Sequence, residues 1–79
     1  MGYDVEVVVT LKASPTEALM SELDHHFEVA AHKAGTLTVE LIEHVAINDE
    51  ADAIAFVKSL VLEAIPANAV ITSISAIPS

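Results

Sequence analysis

Side chains alternate from residue 4 to residue 12: the apolar Val5, Val7, Val9 and Leu11 fall on one side, and the mostly polar Asp4, Glu6, Val8, Thr10 and Lys12 on the other. A period of two is that of a half-buried strand. The period then lengthens. Ser14-Pro15-Thr16-Glu17 reads as a helix start, with Ser14 as N-cap, Pro15 at the first helical position and Glu17 three residues after the cap. At about 100° per residue, Leu19, Met20, Leu23, Phe27, Ala30 and Ala34 form one stripe. That stripe predicts a helix ending at Gly35, which serves as its left-handed cap. Residues 36–47 alternate again, with Leu37, Val39 and Leu41 against Thr38, Glu40 and Ile42. They predict one long second strand, because no Gly, Pro, Asn or Asp divides the stretch into a hairpin. Unbroken alternation would turn Glu43 inward beside Val45 and Ile47, so a bulge, a sheet edge or a partner is expected there.

Asn48 or Asp49 caps a second helix whose first turn carries Asp49, Glu50 and Asp52, the sign of charge favoured at that end of a helix dipole. Its apolar arc, from Ala53 and Ile54 through Phe56, Val57, Leu60 and Val61 to Ala64 and Ile65, covers about half the wheel, so this helix is expected to be the more buried. Pro66 stops it. Residues 69–77 then predict a third strand, Val70, Thr72, Ile74 and Ala76 against Ile71, Ser73, Ser75 and Ile77.

This order predicts an α/β fold, a two-layer βαβαβ sandwich in which a three-stranded parallel sheet carries two helices packed on one face. Residues 1–79 are expected to form a single domain. Asp4, Glu6, Thr10, Thr38 and Glu40 would face away from the helices, toward solvent or a partner. The alternative is a ferredoxin-like split arrangement with four strands, which needs a hairpin within residues 36–47. Open edges also make the sheet a surface for a homodimer.

Charge narrows the function. Twelve acidic residues stand against three lysines, Lys12, Lys33 and Lys58, with no arginine, for a formal net charge of −9. Such a surface repels phosphate backbones and anionic membranes, so neither direct nucleic-acid binding nor membrane binding is expected. A basic protein or nucleoprotein complex is the partner it favours, although acidity also keeps an apolar chain soluble. With 53% hydrophobic residues and only Tyr3, Phe27 and Phe56 aromatic, the core should be small and aliphatic. The chain lacks cysteine, and its first residues, Met1-Gly2-Tyr3-Asp4, show no signal-peptide pattern, which points to the cytoplasm.

Catalytic chemistry is hard to assemble. Asp24-His25-His26, with Glu22, Glu28 and His32 nearby, is the densest cluster of ligand types. Neighbours on a helix diverge by about 100°, however, and Glu22 with His26, or Glu28 with His32, supplies two ligands where a stable site needs three or four. The remaining histidine, His44, is placed on a strand. The triplet also resembles the short signature of the DHH phosphoesterases, but here it lies within an amphipathic helix. Ser21 and His25 are one helical turn apart on a convex face, without oxyanion donors. Gly2 and Gly35, the only glycines, form no phosphate loop. A Glu43–His44 contact on the second strand reads as local structure. No catalytic, metal or cofactor-binding residue is assigned, and the chain is read as a non-enzyme.

The residues assigned to partner binding are Asp4, Glu6, Asp24, Glu28 and Glu40. Asp4 and Glu6 would lie about 6.6 Å apart on a strand, and Asp24 and Glu28 about 6 Å apart along a helix, rows comparable in scale to a phosphate backbone. In size, acidity and lack of catalytic residues the whole chain resembles the anti-CRISPR and related phage-encoded inhibitors. That resemblance implies direct binding to a basic nucleic-acid-binding surface of a larger complex, in competition with DNA. The alternatives are a small oligomerising or ligand-sensing regulatory module and a phage structural subunit.

Overall fold

A computed structural model describes residues 2–79; Met1, the first residue of the N-terminal reading above, lies outside them. The elements run β1 (Tyr3–Thr10), α1 (Glu17–His26), β2 (Val29–His32), β3 (Thr38–Val45), α2 (Glu50–Ala64) and β4 (Val70–Pro78). They form an α/β fold with a four-stranded sheet in the order β2-β3-β1-β4. All three strand pairings are antiparallel. This corrects the expected three parallel strands and is the split topology of ferredoxin-like folds. The needed hairpin precedes residue 36. Val29–His32 pairs with Val39–Ile42, and the turn between them is closed by the Thr36 N–H, which donates to the Lys33 carbonyl at 3.1 Å. Gly35, at the third position of that turn, has φ 84°, as a type II turn requires there. Its positive φ therefore serves the hairpin instead of a helix cap.

The first helix is correspondingly short. It ends at His26, and Phe27 is already extended, with φ −120° and ψ 153°, while its N–H still donates to the Leu23 carbonyl. Its start also lies two residues later than expected. Thr16, not Ser14, is the N-cap, and the Leu19 N–H donates to Thr16 Oγ1 at 3.1 Å. Thr16→Ala is therefore expected to cost about 1 kcal/mol in urea unfolding, and Ser14→Ala less than about 0.5 kcal/mol. Equal losses would contradict this cap. Asp49 caps α2, its Oδ1 accepting the Asp52 N–H at 3.0 Å.

One face of the sheet carries the core. Val5, Val7 and Val9 of β1 sit beside Val39, Leu41 and Val45 of β3, all buried. Leu23 of α1, Phe27, and Ala53, Val57 and Val61 of α2 close over them. α2 buries three residues where α1 buries one, but its arc is narrower than expected: Phe56 is 49% exposed. Leu37, expected inward, falls outside β3 and is also exposed. A register shift in β4 opposite Val8 and Val9 leaves Thr72 as the extra residue. On its N-terminal side Val70 and Ile71 exchange the expected faces, while residues 73–77 keep theirs. Ile71, Ile74 and Ala76 oppose Val9, Val7 and Val5, while Val70, Ser73, Ser75 and Ile77 take the other face. Among the described residues no helix is long and apolar enough to cross a membrane.

Candidate functional site

Among the described residues, nothing packs on the face of the sheet away from the helices. Because the β1–β3 register runs unbroken from Tyr3↔Val45 to Thr10↔Thr38, the even-numbered residues of both strands share this face. Asp4 stands opposite His44, Glu6 opposite Ile42, and Val8 opposite Glu40. Ser75 and Ser73 extend these last two rows on β4, and Val29 and Ala31 extend them on β2. Glu6 and Glu40 are thus diagonal neighbours, about 7–8 Å apart, with Val8 and Ile42 on the crossing diagonal. Asp4 follows along β1, two residues from Glu6. The result is a line of three carboxylates interleaved with half-buried aliphatic side chains.

No lysine lies in a strand: Lys12 follows β1, Lys33 follows β2 and Lys58 is on α2. Among the described residues the only basic group on the face is His44, whose Nδ1 is 2.9 Å from Asp4 Oδ1, with both side chains close to half exposed. Ser79 Oγ lies 3.3 Å from the same nitrogen. Asp4 is thus the one acidic residue of the line with a local ionic partner, and Glu6 and Glu40 are exposed.

Asp24 and Glu28 are not part of this site. Asp24 is exposed on α1, in the helical layer on the other side of the sheet, and Glu28 lies beyond the end of α1. The expected Asp24–Glu28 row along a helix therefore does not form, because the helix stops before its second member. The structure brings together Asp4, Glu6 and Glu40 only.

Glu43 and His44 do not pair with each other, since neighbours on a regular strand point to opposite faces. Glu43 is turned toward the helical layer, opposite Val5, with no bulge in the β1–β3 register. Its Oε1 accepts the Glu28 N–H at 3.0 Å. This carboxylate therefore holds the corner where the chain leaves α1 for β2, and it answers the anomaly at this position. Glu43→Ala is expected to cost about 1 kcal/mol and to speed hydrogen exchange of the Glu28 amide, whereas Glu43→Gln keeps an acceptor and loses less. Unchanged Glu28 exchange in the alanine variant would contradict the role.

The α1 cluster gathers no ligand set. His25 and His26 meet edge to face, with ring centroids 5.7 Å apart. His32 has left the helix for β2, where its Nε2 is 2.8 Å from the Thr36 carbonyl. Among the described residues no group of three or more His, Cys, Asp and Glu is placed to hold a metal ion. The residues that sequence reasoning missed on the sheet face are Val29 and Ala31, which arrive only with β2. Comparison of the chain with family models, with curated proteins and with solved structures finds no match in any of the three.

Proposed function

We propose that this chain is a non-enzymatic acidic binding protein that lays its open sheet face against a basic, nucleic-acid-binding surface of a larger complex and occludes it, in the manner of anti-CRISPR-like inhibitors. The observation that carries this reading is the convergence of Asp4, Glu6 and Glu40 on one uncovered face that holds no lysine. Carboxylates at this spacing offer arginine and lysine side chains the contacts a phosphate backbone would otherwise make. Val8 and Ile42 between them supply apolar area that a purely electrostatic surface would lack. Antiparallel sheets tolerate one solvated face, so the fold does not itself require this surface to be covered.

The test is affinity capture from a bacterial lysate, followed by elution with salt and, separately, with duplex DNA. A nucleic-acid-binding complex released by both, and not captured by the Asp4→Ala, Glu6→Ala, Glu40→Ala triple variant, is the expected result. Capture that is indifferent to DNA and to the triple substitution would defeat the proposal. The four-stranded split topology favours a second reading, a ligand-sensing regulatory module, which calorimetric titration with small metabolites would support by a stoichiometric heat.

A further inference from the structure

The free edge of β4 is a second contact surface, and we propose that it pairs antiparallel with β4 of a second copy of this chain. β4 ends the sheet and spans nine residues. No charged side chain occurs from Ala64 to Ser79. The opposite edge, β2, has only four residues and is bracketed by Glu28 and Lys33. Exposed strand edges are ordinarily protected by charge, and β4 has none.

Two hydrogen bonds fix which backbone groups face outward. The Ser79 N–H donates to the Gly2 carbonyl at 3.1 Å, and the Leu11 N–H donates to the Leu37 carbonyl at 2.8 Å. In an antiparallel ladder a residue directs both its N–H and its C=O to the same neighbour, and successive residues alternate. Even-numbered residues of β1 are therefore bonded to β4 and odd-numbered ones to β3. On β4, Ser73, Ser75 and Ile77 turn to β1, while Ile74 and Ala76 present N–H and C=O to the open edge. Pro78 falls in the outward set, where its missing N–H breaks no ladder bond.

A two-fold axis at Ser75 satisfies this edge. Ile74 of one copy stands opposite Ala76 of the other, and each such pair exchanges two N–H to C=O bonds. The bulge at Thr72 and the imide nitrogen of Pro78 bracket the paired segment and set its register. Ile74 and Ala76, both half-buried against the core, gain cover. Charge chooses the occupant. Glu6 adjoins Ser75, so the two copies' Glu6 residues are three strand spacings apart, about 14 Å. That exceeds the screening length of about 8 Å at physiological salt. Contact through the open sheet faces would instead press two lines of carboxylates together with no lysine between them.

Sedimentation velocity across a concentration series at physiological salt is expected to show twice the monomer mass for the wild-type chain. Ala76→Pro removes one outward N–H and no bond to β1, and it should leave a folded monomer by circular dichroism. Ser75→Cys provides a readout that does not depend on tolerance of that proline. The two Ser75 residues form a non-hydrogen-bonded pair with Cα atoms about 4.5 Å apart, within disulfide range. Under mild oxidation this variant should cross-link on the order of tenfold faster than Ser59→Cys on the exposed surface of α2, because pairing raises the local thiol concentration. A wild-type chain that stays monomeric throughout, or Ser75→Cys cross-linking no faster than Ser59→Cys, overturns the proposal. Neither measurement involves a basic partner, so failure here is distinct from failure of the sheet-face reading.

Discussion

Leu23→Ala should destabilise the fold by about 2–5 kcal/mol, the range for removing a fully buried leucine side chain. Leu23 is the only buried residue of α1 and is 1% exposed. It sits in one cluster with Val5, Val7, Leu41 and Phe27, so the cavity left by truncation would open at the centre of the two layers. Total stability for a chain of this length is about 4–12 kcal/mol at the usual increment per residue, so the loss is a large share of the whole. α1 has little else to hold it, since Leu19 and Met20 are only partly buried. The consequence should extend past the helix. β2 follows α1 directly and pairs over only four residues, so exchange in Val29–His32 should accelerate along with that in α1. Urea unfolding measures the first effect and amide exchange the second. Leu62→Ala, at a position 55% exposed on α2, is the control and should change stability by less than about 0.5 kcal/mol. A Leu23→Ala variant within 1 kcal/mol of wild type would mean that α1 docks by other contacts.

The error over residues 27–35 has a specific cause. Phe27, Ala30 and Ala34 fit the helical stripe, and alanine favours a helix more than any other residue. The strand reading of Val29–His32 offers only Ala30 and His32 to the core side and Val29 and Ala31 to the other, which is too little contrast for a period of two to show. Pairing with β3 decided the matter, and pairing is not a local property. The turn signal was present in Gly35. A glycine with positive φ serves a helix C-terminus and a type II turn equally well, and Gly35 serves the second. Residues 36–47 hold no turn signal, because the turn lies before them at 33–36. β1, α2 and β4 were legible because each has a single strong period and its own cap or stop, Asp49 and Pro66 among them. The order of faces in β4 was not, because a bulge at Thr72 carries no distinctive residue type.

The candidate site divides along the same line. Alternation alone places Asp4, Glu6 and Glu40 on the outward face, and antiparallel pairing of β1 with β3 preserves that placement while changing their neighbours. Parallel pairing would have put different residues opposite Glu6. The Asp24–Glu28 row requires a helix that continues past His26, where α1 ends. His44 was read with its sequence neighbour Glu43, but its contact is across the sheet with Asp4.

Reversing the charge of that line tests whether the acidity has a direction. Asp4→Lys, Glu6→Lys and Glu40→Lys together change each position by two units and take the formal net charge from −9 to −3. Glu22→Lys, Asp24→Lys and Glu63→Lys make the same change in net charge at exposed positions of the two helices. If association is steered by a charged surface patch, rates should respond to where the charge lies, over a range of about 10–1,000-fold at low salt. The probe is an arginine-rich peptide titrated into each variant, with binding followed by amide shifts in nitrogen-labelled protein. The sheet-face variant is expected to lose binding and to show no perturbation at Val8 or Ile42, while the helix variant keeps most of its affinity. Raising salt should weaken the wild type most and narrow the gap between the two variants. Both substitution sets lie on exposed or half-exposed side chains, so the fold should tolerate either. Equal loss in the two variants would mean that the peptide senses net charge alone. In that case the acidic line would serve to keep a chain with 53% hydrophobic residues in solution, and the sheet face would have no claim as a binding site.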